Sequence, residues 1–89
     1  MKVLIDKSFA KDTEKIKDKK VLKSVAECII KIEKLDKITE IANCKKLKGS
    51  KNAYRIRIGD YRIGFIFEKQ RIEFIRFLHR SKIYENFPD

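Results

Sequence analysis

Residues 54–67 constrain the fold most, because they have the pattern of two strands joined by a tight turn. Apolar side chains alternate with arginines along Tyr54–Ile58, and a second, largely apolar run follows along Tyr61–Phe67. Between them, Gly59-Asp60 has the length and composition of the two-residue turns that close β-hairpins. The pattern therefore predicts an antiparallel hairpin at the centre of the C-terminal half.

The turn length also predicts the register of this hairpin, since a two-residue loop fixes which residues face each other. Arg57 then lies opposite Arg62, and Arg55 lies opposite Gly64. Side chains alternate between the two faces of a sheet, so the three arginines share one exposed face around the bare backbone of Gly64. The other face is apolar and should cover the helices; it contains Tyr54, Ile56, Ile58, Tyr61, Ile63 and Phe65.

Arginines that face each other across two strands should destabilise the fold, so stability alone does not explain them. Like charges directly opposite each other destabilise a sheet by about 0.2–1 kcal/mol. A bound anion would reverse the sign of that contribution, and arginine grips a carboxylate or phosphate with two donors at once. The alternative is a solvated face on which Glu73 of the next strand neutralises one arginine. The pattern favours the anion site.

The remaining sequence predicts an α+β fold, with an N-terminal helical hairpin packed on a small, mainly antiparallel, twisted β-sheet. Its clearest helix is Val21–Leu35, whose apolar residues recur at helical spacing. We expect a single domain spanning residues 1–89. The other expected elements are a strand at Lys2–Ile5, a polar helix from Phe9 to about Asp18, a helical turn at Ile38–Asn43, a loop at Lys45–Asn52 and a third long strand at Arg71–Leu78.

Positive charge is concentrated in the same half as the hairpin. The formal net charge is +10, and residues 45–82 hold 12 basic and 3 acidic groups, a net +9. All the arginines lie between Arg55 and Arg80. Such a field attracts polyanions and makes their binding depend on salt, so RNA, DNA or an acidic protein could be the partner. The alternative is that the charge serves only solubility, which does not require clustered arginines.

Several classes of protein are excluded. No apolar run approaches the roughly 18 residues of a membrane span, and no secretory signal opens the chain. Cys28 and Cys44 are too few and too far apart in sequence for a metal site or a disulfide framework. We therefore expect a protein of the reducing cytoplasm that needs no membrane, no metal and no cofactor.

A candidate reactive group follows the last strand. His79, Arg80 and Tyr84 lie there, and a helical turn would bring Arg80 and Tyr84 to one side. RNA cleavage by the ribose 2′-hydroxyl needs a base, a group that stabilises the extra phosphate charge and an acid for the leaving oxygen. Arginines suit the second task, and a histidine or an activated tyrosine suits the others. The residue types are therefore compatible with RNA cleavage without a metal.

The same residues resemble the RelE/ParE superfamily of toxins from bacterial type II toxin–antitoxin systems. The resemblance is carried by Lys46–Ser50, Tyr54–Ile63, His79-Arg80 and Ile83-Tyr84, and by the order of two helices followed by a sheet. It implies one of two activities. RelE-like members cleave mRNA in the ribosomal A site, without metal, through 2′-hydroxyl attack, and so inhibit translation. ParE-like members instead poison DNA gyrase.

The resemblance also implies roles for individual residues. Arg55, Arg57 and Arg62 match positions that bind and activate the phosphate. Arg80 matches a residue that supports the transition state, and Tyr84 matches a general base. His79 lies near a position where some relatives have a catalytic histidine. The expected RNA-binding residues are the lysines of the predicted loop, Lys45, Lys46, Lys48 and Lys51.

The resemblance further implies a cognate antitoxin whose acidic segment covers the basic groove in a toxin–antitoxin hetero-oligomer. Our leading hypothesis is therefore a ribosome-dependent mRNA endonuclease, with the ribosome and mRNA as partners. The alternatives are a ParE-like gyrase inhibitor without catalytic activity and a non-catalytic nucleic-acid-binding module.

Overall fold

The computed structural model describes residues 1–88, which form a five-stranded sheet with two helices on one face and a short third helix on the other. The elements in chain order are β1 (Lys2–Ile5), α1 (Lys7–Glu14), α2 (Lys19–Glu33), a 3₁₀ turn (Ile38–Glu40), β2 (Cys44–Lys46), β3 (Ala53–Ile58), β4 (Tyr61–Glu68), β5 (Arg71–His79) and α3 (Ile83–Asn86). The predicted α+β class is confirmed. Within residues 1–88, no helix is long and apolar enough to cross a membrane.

The sheet has the order β1-β5-β4-β3-β2, with β1 parallel to β5 and all other pairs antiparallel. The predicted hairpin register is confirmed: Arg57 pairs with Arg62 and Arg55 pairs with Gly64. Gly59 has φ +58, in the left-handed region that glycine enters most readily. The turn chemistry therefore fixed the register as expected.

Two aspartates set the beginnings of the helices. The Asp6 carboxylate accepts a hydrogen bond from the Ser8 backbone N–H and caps α1, and Asp18 does the same for α2 through the Lys20 N–H. The predicted first helix is too long, since α1 ends at Glu14 instead of near Asp18. Asp18 belongs to the next helix because its short side chain satisfies an otherwise unpaired N–H there.

The helix face of the sheet holds the main core. Phe65, Phe74 and Ile63 have no exposed surface, and the Phe9 ring of α1 packs against Phe74 with 5.2 Å between ring centroids. Burying a side chain of this size stabilises the fold by about 1.5–3 kcal/mol. The other fully or nearly fully buried members of this core are Val25, Ile32, Ile41, Ile56, Ile72 and Phe77.

A β-bulge interrupts the pairing of β4 with β5. Gly64 pairs with Arg76 whereas the next residue, Phe65, pairs with Phe74, so β5 contains one extra residue at this point. An extra residue reverses the alternation of faces beyond it. Phe77 consequently enters the helix-face core, where an uninterrupted strand would have placed it opposite Arg62 on the arginine face.

The bulge is held by an acidic residue of α1. The buried Asp12 carboxylate accepts hydrogen bonds from Arg76 Nε at 2.7 Å and from the Phe77 backbone N–H at 2.9 Å. The Arg76 guanidinium is thus bound to a residue of α1, where it supports the fold. A charged pair and a backbone donor are satisfied together, as buried polar groups require.

Two features of the arginine face differ from the prediction. The predicted loop at Lys45–Asn52 is wrong at its start, because Lys45 and Lys46 belong to the edge strand β2, paired with Arg55 and Tyr54. The backbone of Gly64 is also not bare, since the Phe87 ring covers it. A second, smaller apolar cluster surrounds that ring and contains Ala53, Leu47, Ile66, Ile75, Leu78 and Ile83.

Candidate phosphate-binding site

Arg55 is positioned by the chain that precedes β2. Its Nη1 donates to the Asn43 carbonyl oxygen at 3.1 Å, and the Arg57 backbone N–H donates to the same oxygen at 3.0 Å. Asn43 has φ +58, a conformation in which asparagine is enriched. Arg55 Nε is buried and has no hydrogen-bond partner within the described residues.

Arg62 and Arg80 are both tied to the hairpin turn. Arg62 Nη1 donates to the carbonyl oxygens of Gly59 and Tyr61, each at 2.9 Å. The Arg80 backbone N–H donates to the Asp60 carbonyl oxygen at 2.8 Å. The turn that closes the hairpin thus also holds the residue that follows β5, so Arg80 comes to the same end of the sheet as Arg62.

The charges of this cluster act on one another. Burial lowers the pKa of the Arg62 guanidinium, and the positive charges of Arg55, Arg57 and Arg80 lower it further, whereas Tyr84 opposes them. Interactions of this kind require the groups to lie near each other. Together with the pairing of Arg57 with Arg62, this indicates that Arg55, Arg57, Arg80 and Tyr84 all lie near Arg62.

A groove of about 390 Å³ lies beside this cluster. Its lining combines cationic and apolar residues: Lys45, Lys46, Leu47, Lys48, Arg55, Tyr84, Phe87 and Pro88. Three of the four lysines expected to bind RNA therefore line the same groove as Arg55 and Tyr84. Lys51 does not line it, and it lies exposed in the loop before β3.

His79 is not brought to the arginine face. It pairs with Tyr61, its ring packs edge-on against the Tyr61 ring, and that tyrosine belongs to the helix-face core. Its Nδ1 accepts a hydrogen bond from the Ser81 backbone N–H, which leaves Nε2 to carry the proton of the neutral ring. The bulge in β5 is the cause, because it reverses the face on which His79 lies. The catalytic role of His79 stays a prediction.

The sequence analysis missed the apolar part of the groove. Leu47, Phe87 and Pro88 line it, and the first two belong to the small cluster on the arginine face. A signal was present in Ile66 and Ile75, which are apolar at positions that should face water. Gly64 inside a strand was a second signal, because a glycine there often marks a close approach of another group.

The arrangement has two chemical capacities. Guanidinium groups fixed around one place offer several charged donors to a phosphate, and fixed donors stabilise charge that develops during a reaction without further rearrangement. Tyr84, 58 % exposed, presents a phenolic oxygen beside the same groove. A polyanion that follows the lysines of β2 would thus pass next to a group capable of proton transfer.

The chain is similar to known proteins over nearly its whole length. The family described as the ParE toxin of the type II toxin–antitoxin system parDE matches residues 3–84. The chain is 38 % identical over 92 residues to Toxin RelE3 of Methanocaldococcus jannaschii, covering 99 % of this chain and 100 % of that protein.

The chain is also similar to solved structures of toxins. The crystal structure of the RelB–RelE antitoxin–toxin complex from Methanococcus jannaschii matches with a TM-score of 0.82 and 35 % identity, over 96 % of this chain and 99 % of that one. The archaeal RelE–RelB complex from Pyrococcus horikoshii OT3 has the same fold, with a TM-score of 0.71 and 23 % identity over 92 % and 97 % of the two chains.

The fold and the matches define a toxin of a type II toxin–antitoxin system. The chain therefore belongs to the RelE/ParE superfamily, as the run Tyr54–Ile63 predicted, and it is a RelE-like toxin.

Proposed function

We propose that this toxin is a ribosome-dependent mRNA endonuclease that inhibits translation by cutting through 2′-hydroxyl attack on the adjacent phosphate, without a metal ion. The observation that carries the proposal is geometric: Arg57 pairs with Arg62 on the arginine face, and Arg55 of the same face lines a lysine-rich groove together with Tyr84. A phosphate-binding cluster is expected of an enzyme that acts on RNA. A protein that only blocks another protein does not require one.

Each residue then has a task. Arg55, Arg57 and Arg62 bind the scissile phosphate and offset the negative charge that it gains in the transition state. Arg80 supports the same charge from the end of β5. Tyr84, as its phenolate, accepts the proton of the 2′-hydroxyl, a role that arginine cannot take because it does not deprotonate. The 2′-oxygen bonds to phosphorus as the bond from phosphorus to the 5′-oxygen breaks, and the leaving 5′-oxygen takes a proton from water. Lys45, Lys46 and Lys48 hold the RNA backbone along the groove.

A second candidate function is inhibition of DNA gyrase without catalysis. The match of residues 3–84 to the ParE toxin family favours it. On that hypothesis the arginine face would contact protein, and Tyr84 would have no chemical task. Substitutions that keep the shape of the face and remove its chemistry, such as Tyr84→Phe, would then leave toxicity unchanged.

We also propose a cognate antitoxin as the inhibitor. A relative of 35 % identity was crystallised as an antitoxin–toxin complex. The net +9 charge of residues 45–82 suits an acidic segment that covers the groove. Such a segment would compete with RNA for the same arginines, so binding and inhibition would weaken together as salt is raised.

The test compares three forms of the toxin after induction in cells: the wild type, Arg62→Ala, and Arg71→Ala as a matched control. Arg71 is an exposed arginine at the opposite end of β5 from Arg80. Transcript 5′ ends and double-strand breaks in DNA are mapped in parallel. The proposal predicts cuts inside translated codons for the wild type and Arg71→Ala, and a loss of cleavage of about 100-fold or more for Arg62→Ala.

Other outcomes separate the alternatives. Double-strand breaks without transcript cleavage would support gyrase inhibition. Toxicity with neither kind of damage would support a non-catalytic nucleic-acid-binding module. Purified toxin added to naked mRNA and to mRNA on ribosomes tests the remaining part of the proposal, since equal cleavage of both would contradict dependence on the ribosome.

A further inference from the structure

Gly64 lies inside the strand β4. A glycine is required there because a side chain would collide with Phe87, not because the backbone needs a conformation that favours glycine. An ideal Cβ built on Gly64 would lie 2.5 Å from Phe87 Cδ2, 2.7 Å from Cγ and 2.9 Å from Cε2. Its φ is outside the left-handed region, unlike those of Gly49 and Gly59. Any residue could adopt the backbone of Gly64, but any side chain would occupy the place of the Phe87 ring.

The Phe87 ring anchors the segment that carries Tyr84. Phe87 is 3 % exposed and Ile83 is fully buried, and both pack with Ala53 of β3. Ile83 is the first residue of α3 and Phe87 follows its last residue. This helix has only four residues and is therefore too short to be stable without tertiary contacts. Tyr84 itself is mostly exposed, so its position depends on the burial of its neighbours on either side.

The Phe87 ring packs over Gly64, on the arginine face of the sheet. Gly64 pairs with Arg55 of β3, and it lies two residues after Arg62 on the same face of β4. A ring seated at Gly64 therefore fixes α3 directly beside the cluster that we assign to the phosphate. The absence of a side chain at Gly64 thus leaves room for the ring that anchors α3.

We propose that Gly64 is a positioning residue for Tyr84, acting through the seat that it provides for Phe87. The inference rests on the proposed function, because it takes Tyr84 as the group that accepts the proton. Catalysis is sensitive to such placement, since a displacement of about 1 Å can reduce a rate by about 100-fold. Gly64 would touch neither RNA nor the reacting atoms.

The test is Gly64→Ala, measured by single-turnover cleavage of mRNA on ribosomes over a range of toxin concentrations. The added methyl group displaces Phe87 and, with it, α3. We expect the rate at saturating toxin to fall by about 100-fold. We expect the concentration for half-saturation to change by less than about threefold, because the arginines and lysines that bind RNA remain in place.

Hydrogen exchange shows whether the variant keeps its fold. We expect the amides of β3, β4 and β5 to retain wild-type protection and those of α3 to exchange faster. Phe87→Ala provides an independent route to the same state, since it removes the ring from the same seat. Once the ring is absent, adding Gly64→Ala should reduce the cleavage rate no further.

Tyr84→Phe separates positioning from a merely structural role. If Gly64 acts through Tyr84, then Gly64→Ala lowers the rate in the wild-type background but not in the Tyr84→Phe background, where the proton acceptor is already absent. An equal loss in both backgrounds would overturn the inference, and so would an unchanged rate or an α3 that stays protected in Gly64→Ala. Failure of the proposed function would appear differently, as a wild-type toxin that cleaves no mRNA on ribosomes.

Discussion

One face of the sheet is sealed by α1 and α2, whereas the other carries the arginines and only a small apolar cover. On the helix face, Phe65 and Phe74 are completely buried. On the arginine face, Arg57 pairs with Arg62 and Lys45 pairs with Arg55, two like-charge pairs that each oppose folding. The same strands thus obtain their stability from one face, and we interpret the other as a face adapted to bind an anion.

Truncating one phenylalanine on each face should have the largest effect on the free energy of unfolding and should show how the two faces differ in stability. Phe65→Ala removes a ring from the centre of the core and should lower the free energy of unfolding by about 3–5 kcal/mol. Phe87→Ala should lower it by less, because α3 can detach while the sheet remains folded. Urea denaturation measures both values. Equal losses would contradict the view that stability is concentrated on the helix face.

The difference between the faces also separates what the sequence predicted from what it did not. The hairpin was predictable because Gly59-Asp60 permits one register, and that register placed the arginines. The strand β2 was not, since Cys44–Lys46 has three residues and no alternation, and it is a strand only because the edge of β3 offers it hydrogen bonds. Local pattern cannot show a pairing that depends on a distant partner.

The bulge explains the position of His79. Alternation along β5 would put His79 on the arginine face, and the extra residue opposite Gly64 and Phe65 puts it on the helix face. The cause is a contact across the fold, the one between Asp12 of α1 and the Phe77 N–H. The candidate site was therefore predictable where it depends on the hairpin, and not where it depends on tertiary contacts.

Removing the clamp on the bulge should have the next largest effect. Asp12→Ala leaves the Phe77 N–H and the Arg76 guanidinium without their carboxylate, and it should lower the free energy of unfolding by about 1–3 kcal/mol. The loss is below that of a fully buried pair because the Arg76 side chain is 27 % exposed and water can reach it. Asp36→Ala, at an exposed position, is the control and should change stability by less than about 0.5 kcal/mol.

Substituting single lysines should have a smaller effect, which is measured on RNA binding. Lys45 lines the groove on the arginine face, whereas Lys19 begins α2 on the other side of the sheet. Binding of a short single-stranded RNA is measured against salt concentration. Lys45→Ala should reduce the slope of log K against log salt by about 0.7, the contribution of one phosphate contact, and Lys19→Ala should leave the slope unchanged. Equal reductions of the slope in Lys45→Ala and Lys19→Ala would mean that RNA binds the helix side of the protein as well as the groove.

The cysteine that begins β2 should show the smallest effect. Burial raises the pKa of the Cys44 thiol to about 11, although Arg55 acts in the opposite direction. In the Cys28→Ser variant, alkylation of the folded protein should therefore accelerate only as pH approaches about 11, whereas the unfolded chain should react from about pH 8.5. The thiol of Cys44 has a higher pKa in the folded state than in the unfolded chain, so its contribution to the free energy of unfolding is fully present below the unfolded pKa. That contribution is lost as pH rises through about 11, because the unfolded chain loses the thiol proton first. Reaction of the folded protein in the ordinary thiol range would place Cys44 outside the core.

Arg57→Gln tests the central claim most directly, because this substitution removes one charge from a cross-strand arginine pair and leaves a polar, uncharged side chain in its place. Unfolding is measured in urea at low salt, and mRNA cleavage on ribosomes is measured with the same preparation. We predict that the free energy of unfolding rises by about 0.2–1 kcal/mol as the repulsion from Arg62 is relieved, while cleavage falls by at least about tenfold. A variant that is less stable and cleaves as well as the wild type would show that the paired arginines serve the fold instead of the phosphate.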